Sequence, residues 1–123
     1  MTVTETFHAL FQAACADRDH DAFIALWATH DPTITMWGSE LDECALGEEE
    51  VSELGRGIVD SSHTLVFEWD ELHEHEQDDV AWVNASGALD VDDARMPYRV
   101  TAVLVRVGDD DWRWHTFSGS SPD

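Results

Sequence analysis

The sequence predicts an α+β fold in which three helices come first and a meandering β-sheet follows. Up to about residue 60, apolar residues recur at the three- and four-residue spacing of amphipathic helices. From residue 64 onward they lie in four strand-like runs that polar turns separate. Helices and strands segregated in this way are typical of α+β domains. A chain of 123 residues is long enough for one core, so we expect a single domain over residues 1–123.

The first half of the chain contains three predicted helices, over residues 5–17, 20–29 and 48–59. Thr4 is the candidate N-cap of the first helix, because its hydroxyl can accept a hydrogen bond from a free backbone N–H. The second helix ends before Pro32, since the residue that precedes a proline avoids the α region. The third helix begins with three glutamates, which suits the positive end of its dipole.

The strands follow from alternation and from β-branched content. A short strand is expected in "TITMWG", and the segment "SELDECALG" that follows it is expected to be a loop. The four later runs are "TLVFEWDELHEH", "DVAWVNASGALDV", "YRVTAVLVRV" and "WRWHTFSGS". Acidic turns separate them, so we expect consecutive antiparallel strands.

The charge of the chain excludes several classes of partner. It contains 27 acidic residues against 6 arginines and no lysine, giving a formal net charge of −21. Such a field repels phosphate backbones and anionic lipids, so we expect neither nucleic-acid nor membrane binding. No apolar run reaches the roughly 18 residues of a membrane span, and no secretory leader is visible. We therefore expect a cytoplasmic protein, and the acidity suits either a high-salt cytoplasm or an ordinary acidic surface.

No motif indicates a metal or a cofactor. Cys15 and Cys44 form no C-x-x-C pair. His73 and His75 share one face of a strand, which can begin a histidine metal site, but a third ligand at a defined spacing is missing. A solvated acidic turn is the simpler interpretation of "HEHEQDD". A phosphate-binding loop and a dinucleotide fingerprint are also missing, so we expect no cofactor.

Three segments in a fixed order resemble a known family: "HDPTITMWGSELDECALGEEEV", "DDVAWV" and "YRVTAVLVRVGDDDWRWHTFSGSSP". Together they are similar to the SnoaL-like branch of the nuclear-transport-factor-2-like superfamily, over nearly the whole chain. The resemblance implies a cone: a strongly curved, mainly antiparallel sheet around the helices, with a pocket between them. It also implies a homodimer through the outer face of the sheet. Because this superfamily contains isomerases, cyclases, dehydratases and members without known activity, the fold alone does not decide the function.

The ketosteroid isomerases of that superfamily give a sharp test. The resemblance places their base aspartate at Met36, their oxyanion tyrosine at Phe11 and their oxyanion aspartic acid at about Val103. None of these three side chains can abstract a proton or donate a strong hydrogen bond. We therefore do not expect the ketosteroid isomerase mechanism here.

The same matching assigns faces to the last two strands, because side chains alternate along a strand. The pocket side of the last strand is expected to carry His115, Phe117 and Gly119. Its outer side is expected to carry Trp112, Trp114, Thr116 and Ser118. On the neighbouring strand the inward side chains are expected to be Arg99, Thr101 and Val103. A slip of one residue would exchange the two faces.

Three residues are candidates for catalysis. His115 is suited to general acid–base work because an imidazole titrates near neutral pH. The simpler interpretation is a half-buried histidine bonded to a neighbouring strand, or one at a dimer contact. An inward Arg99 would need a carboxylate partner, and the resemblance points to Glu43 in the loop before the third helix. The alternative is that Arg99 reaches the rim and Glu43 is solvated.

These assignments lead to three hypotheses about function. The first is a protein that binds a small apolar or aromatic molecule in a pocket lined by Phe11, Trp27, Met36, Trp37, Thr101, Val103 and Phe117. The second is an enzyme, a lyase, isomerase or cyclase, that uses His115 with Arg99 or Glu43 for proton transfer. The third is a dimerisation module without catalysis. A cavity that contains His115 and a second titratable group would favour the enzyme.

Overall fold

The computed structural model describes residues 1–122 and confirms the α+β fold with a curved, open sheet. The helices are α1 (Val3–Phe11), α2 (His20–Ala25) and α3 (Gly47–Val59), and a π-helical turn (Gln12–Ala16) continues α1. The strands are β1 (Thr35–Trp37), β2 (Cys44–Leu46), β3 (Leu65–Gln77), β4 (Val80–Val91), β5 (Ala94–Gly108) and β6 (Asp111–Ser120). Among residues 1–122, none of the helices combines the length and the apolarity that a membrane crossing needs.

The start of helix α1 is set by a capping interaction between side chains and backbone. Helix α1 is capped by Thr2. The prediction of Thr4 as its N-cap is therefore wrong. The Thr2 hydroxyl accepts a hydrogen bond from the Glu5 N–H at 3.1 Å, and the Glu5 carboxylate accepts one from the Thr2 N–H at 2.8 Å. This reciprocal capping box satisfies two N–H groups at once, which a lone Thr4 cap would not do.

The six strands lie in the order β2-β1-β6-β5-β4-β3. Strands β3 to β6 form the predicted antiparallel meander. Strand β1 pairs parallel to β6 on one side and antiparallel to β2 on the other. Strand β2 lies in the segment 39–47 that was predicted as a loop. It is three residues long, which is too short to show an alternating pattern.

The inward face of β5 differs by one residue from the prediction. The side chains of Tyr98, Val100, Ala102 and Leu104 are buried against the helices. Arg99 and Thr101 are exposed and Val103 is half-buried on the opposite, outer face. The predicted inward orientation of these three residues is therefore wrong, because the register matched by resemblance was shifted by one position.

A β-bulge in β6 explains the wrong face assignment for the tryptophans. Val103 of β5 pairs with Thr116, but the next residue, Leu104, pairs with Trp114, so His115 is the extra residue. A bulge changes the phase of side-chain alternation. Before the bulge the inward, buried residues are Trp112 and Trp114; after it they are Phe117 and Gly119. The inward prediction for the latter pair agrees with the structure, and the outward prediction for the two tryptophans is wrong.

Trp114 is the centre of the core between the sheet and the helices. It is 0% exposed, its ring stacks on Phe7 at a centroid distance of 5.6 Å, and Trp27 lies 5.9 Å away. Its indole N–H donates to the Thr6 carbonyl at 3.1 Å. Its backbone N–H donates to the Leu26 carbonyl at 2.8 Å, so the end of α2 is fixed to β6 at the same point.

Arg18 connects the π-helical turn that follows α1 to the end of α3. Its guanidinium donates to the carbonyls of Val59 at 3.2 Å, Ser61 at 2.6 Å and His63 at 2.5 Å, and its Nε donates to Cys15 at 3.2 Å. Carbonyls at the end of a helix have no partner within it, and a cation there also opposes the helix dipole. Arg18 thereby holds the end of α3 against the π-helical turn.

Candidate functional site

A cavity of about 190 Å³ lies between the helices and the concave face of the sheet. Its walls are mainly carbon and come from every layer of the fold. The lining residues from the helices are Leu10, Phe11, Ala14, Cys15, Phe23, Leu54 and Ile58. Those from the sheet and the β1–β2 loop are Met36, Gly38, Ser39, Glu43, Leu65, Phe67, Leu89, Tyr98 and Phe117. The volume exceeds the roughly 150 Å³ of an apolar cavity that holds benzene.

Glu43 brings a carboxylate to one end of this cavity. Its side chain folds back over Gly38, where an added Cβ would lie 2.9 Å from the Glu43 Cβ and Cδ atoms. The Gly38 N–H donates to the Glu43 carbonyl at 2.8 Å, and the Glu40 N–H donates to Glu43 Oε1 at 3.0 Å. The β1–β2 loop thus fixes both the backbone and the carboxylate of Glu43. Because Ser39 beside it is exposed, this end is the mouth of the cavity.

Tyr98 supplies the second polar group at the same end. It points inward from β5 and lies over Gly119, where an added Cβ would be 2.3 Å from the phenol oxygen. Burial and, to a smaller extent, the negative charge of Glu43 raise the pKa of Tyr98 to about 12, while hydrogen bonding by Ser39 acts in the opposite direction. Its hydroxyl therefore stays protonated over the whole neutral range and can donate a hydrogen bond into the cavity.

The titration of Tyr98 can be measured without interference, because it is the chain's one tyrosine. At about pH 11 we expect roughly a tenth of the phenol to be ionised, where an ordinary tyrosine would be about nine-tenths ionised. Ultraviolet absorbance of phenolate measures this fraction, with circular dichroism verifying that the protein remains folded. Glu43→Gln should lower the pKa of Tyr98, since it removes the neighbouring charge. An ordinary pKa near 10 in folded protein would contradict the placement of Tyr98.

The sign of the linked stability change follows from the same shift. Between about pH 10 and 12 the unfolded chain releases the Tyr98 proton while the folded protein retains it. The stabilisation is therefore fully present below pH 10 and is lost as the pH rises through this window. In Tyr98→Phe this component of the alkaline destabilisation should be absent.

Cys15 contributes a buried thiol to the cavity wall. Burial raises its pKa to about 11, and the positive charge of Arg18 opposes this shift. The thiol is neutral near pH 7 and behaves as a small hydrophobe. It adds no charge to the site.

The structure brings together only part of the predicted site. Four of the predicted residues line the cavity: Phe11, Met36, Glu43 and Phe117. Trp27 is fully buried in the core outside the lining, and Trp37 is 54% exposed on the outer side of β1. Arg99 and Thr101 lie in a polar groove on the outer face of the sheet, and Val103 is half-buried on that face. The predicted pairing of Arg99 with Glu43 is not formed, because the two lie on opposite sides of the sheet.

His115 is the bulge residue of β6 and lies outside the cavity lining. Its Nε2 is 3.0 Å from the Thr33 hydroxyl and 3.5 Å from an Asp31 carboxylate oxygen, and its Nδ1 is 2.6 Å from the Thr116 hydroxyl. The pKa of Asp31 is lowered mainly by hydrogen bonds from Thr33, with a small contribution from His115. The imidazole thus connects the chain before β1 to β6. The inward prediction for His115 is wrong because the bulge turns this residue away from the pocket.

Tyr98 is the main functional candidate that the sequence reasoning missed. A signal was present in "YRVTA", where the apolar or aromatic residues are Tyr98, Val100 and Ala102 and the two residues between them are polar. Strict alternation of this kind predicts the buried face directly. The matching by resemblance overrode that pattern. Ser39 and Gly38 had no comparable signal, because irregular loop geometry decides their position.

The histidines of β3 do not assemble a metal centre. His73 lies 3.4 Å from the Glu71 carboxylate, and the ring of His75 packs on Trp82 at 4.5 Å. Within residues 1–122, no group of three or more histidine, cysteine, aspartate or glutamate side chains is arranged to hold a metal ion.

Helices on the concave face of a curved mixed sheet, with a partly open cavity between the layers, define a pocket-forming α+β domain. The chain belongs to the SnoaL-like domain family, whose sequence model matches residues 3–123. No curated protein matches the sequence.

Solved structures with the same fold are distant in sequence. A candidate dehydratase of the NTF2-like family from Streptomyces avermitilis is 16% identical, with a TM-score of 0.88 over 99% of this chain and 94% of that chain. A candidate calcium/calmodulin-dependent protein kinase type II association domain from Thiobacillus denitrificans is 22% identical, with a TM-score of 0.84 over 99% and 96%. An NTF2-like protein of unknown function from Pseudomonas putida is 20% identical, with a TM-score of 0.81 over 98% and 84%. At these identities the likeness establishes the fold alone.

Proposed function

We propose that this protein binds a small apolar or aromatic molecule in the cavity between its helices and its sheet. The observation that carries the proposal is the cavity of about 190 Å³ with mostly apolar walls and a few polar groups at its mouth. Apolar cavities with a few convergent polar groups are the usual form of small-molecule sites. The volume limits the occupant to about one ring with a short substituent.

Toluene is a suitable first probe, and a cavity-filling variant tests where it binds. Ala14 lines the cavity and is buried, so Ala14→Leu places three more carbon atoms inside it. We expect wild-type protein to bind toluene in ligand-observed NMR and Ala14→Leu to lose that binding. The free energy of unfolding of the variant should be unchanged or higher, because the added methyl groups fill empty volume.

Ala16→Leu is the matched control, since Ala16 is exposed on the same π-helical turn. It should bind toluene like the wild-type protein. Equal toluene binding by a folded Ala14→Leu variant, or no binding by the wild-type protein, would overturn the proposal.

A second candidate is an enzyme that transfers a proton within the cavity. Glu43 and Tyr98 are two titratable groups in one cavity, which supports an acid–base role better than His115 or Arg99 does. The distant structure named as a candidate dehydratase fits such chemistry in this fold. Exchange of the methyl protons of acetophenone in D₂O, lost in Glu43→Gln, would favour this candidate over simple binding.

A third candidate role is homodimerisation through the outer face of the sheet. Trp37 and Leu46 are 54% and 58% exposed on the outer side of β1 and β2. Exposed apolar residues of this size on one face favour an interface between copies. Sedimentation velocity would measure the assembly, and Trp37→Asp should shift it to monomer. A single domain over residues 1–123 and a cytoplasmic location stay predictions from the sequence.

A further inference from the structure

We infer that the cavity selects a small amine, whose ammonium group is held at the mouth by the carboxylate of Glu43. This inference rests on the proposed binding function and names the chemical class of its ligand. Its support comes from the charges of the lining, from the unused acceptor sites of Glu43 and from the aromatic walls.

The residues that line the cavity carry negative charge and no positive charge. Among the lining residues, Glu43 is the one acid, and none is an arginine, lysine or histidine. The other two titratable side chains, Cys15 and Tyr98, are neutral near pH 7, and burial raises the pKa of each above its ordinary value. A carboxylate ligand would therefore place a second negative charge beside Glu43 with no cation to offset it, whereas an ammonium group would offset the charge of Glu43.

The carboxylate of Glu43 has acceptor capacity to spare. Within residues 1–122, one hydrogen bond is donated to it, from the Glu40 N–H to Oε1. A carboxylate has about four acceptor positions, and a half-buried one is stabilised by additional donors. An ammonium group presents three donors, so it can bond to Oε2 and add the attraction of opposite charges. The Tyr98 and Ser39 oxygens lie at the same end and can accept its other hydrogens.

The aromatic walls and the charge of the whole protein also favour a cation. Five lining residues carry aromatic rings: Phe11, Phe23, Phe67, Tyr98 and Phe117. The faces of such rings attract cations. A net charge of −21 raises the local concentration of cationic ligands and lowers that of anionic ones. Each of these effects acts against a ligand of the same size that carries a carboxylate.

Three probes of nearly equal size separate charge from shape: benzylamine, benzyl alcohol and benzoate. At about pH 7 and about 0.15 M salt, isothermal titration calorimetry should give benzylamine the highest affinity and benzoate the lowest. Benzylamine should bind about tenfold or more tightly than benzyl alcohol, because a hydrogen bond to a charged group is worth more than a neutral one. Glu43→Gln should remove this advantage, while its amide oxygen can still accept the Glu40 N–H.

The general attraction of an acidic protein for cations needs its own control. Asp42→Asn removes the same unit of charge from an exposed position beside Glu43 and should leave all three affinities unchanged. An equal loss of benzylamine affinity in Asp42→Asn and Glu43→Gln would overturn the inference, as would benzyl alcohol or benzoate binding as tightly as benzylamine. Toluene separates the two proposals. If toluene binds and benzylamine binds no more tightly than benzyl alcohol, the amine inference fails and the binding function stands. If none of the four probes binds, both fail.

Discussion

Trp114→Ala is expected to reduce the free energy of unfolding by about 3–5 kcal/mol, the usual cost of removing a buried tryptophan. The side chain is 0% exposed. The centroid of its ring lies within 6.2 Å of the ring centroids of Phe7, Phe11, Trp27 and Phe117. The variant would leave a void at this point, and the Thr6 carbonyl would lose the hydrogen bond from the indole N–H. Since small proteins are stable by only about 5–15 kcal/mol, this is a large fraction of the total. Urea unfolding followed by circular dichroism measures it.

Trp37→Ala is the matched control for this substitution. Trp37 is 54% exposed, so its removal should change the free energy of unfolding by no more than about 0.5 kcal/mol. Repeating both measurements at two protein concentrations separates any contribution from dimerisation. If Trp114→Ala does not fold, Trp114→Phe keeps most of the ring volume and should lose part of the same stability. A loss below about 1 kcal/mol in Trp114→Ala would place this tryptophan outside the core.

Arg18→Met is expected to cost about 2–3 kcal/mol, because one side chain supplies hydrogen bonds to four backbone carbonyls. Three of these carbonyls lie at and beyond the end of α3. Methionine keeps the apolar stem but leaves them without the guanidinium. Residue 18 has a positive φ of 52°. Arginine and methionine have a similar backbone cost there, so the comparison isolates the guanidinium.

Arg56→Met controls for the loss of a positive charge from so acidic a protein. Arg56 is exposed on α3, and its contact is a 3.3 Å approach to the ring of His20. We expect this variant to lose no more than about 0.5 kcal/mol. If both variants lose the same stability, the effect belongs to net charge, and the role of Arg18 in holding α3 is contradicted.

The fold followed from the sequence because its signals are local and repeated. Four strand-like runs of nine or more residues, separated by acidic turns, predicted the meander of β3 to β6. Helical spacing gave three helices, with errors of a few residues at their ends, where caps decide the boundary. What failed was β2, because three residues carry no period, and the N-cap. For the N-cap the sequence held a signal that was missed: Thr2 with Glu5 three residues later matches the capping-box pattern, and Thr4 does not.

The site followed from the sequence less well, because its geometry depends on one extra residue. The bulge at His115 reverses the alternation within β6, so no single register assigns both Trp114 and Phe117 correctly. The polar end of the cavity depends on two close contacts: the Glu43 side chain packs on Gly38, and the Tyr98 ring packs on Gly119. A sequence shows the two glycines but not what packs on them. Glu43 was found through resemblance. Its neighbour Tyr98 was readable from alternation and was lost to a one-residue shift.

The central claim is that a small ligand binds in the cavity, beside Met36. The NMR signal of one methionine methyl group tests this claim directly. The chain contains three methionines, of which Met36 lines the cavity and Met1 is 54% exposed. In protein labelled with ¹³C at the methionine methyl groups, saturating toluene should shift the Met36 signal and give nuclear Overhauser effects between that methyl and the toluene ring, while Met1 stays unchanged. A Met36 signal that is unmoved at full toluene occupancy, without such effects, would contradict the claim.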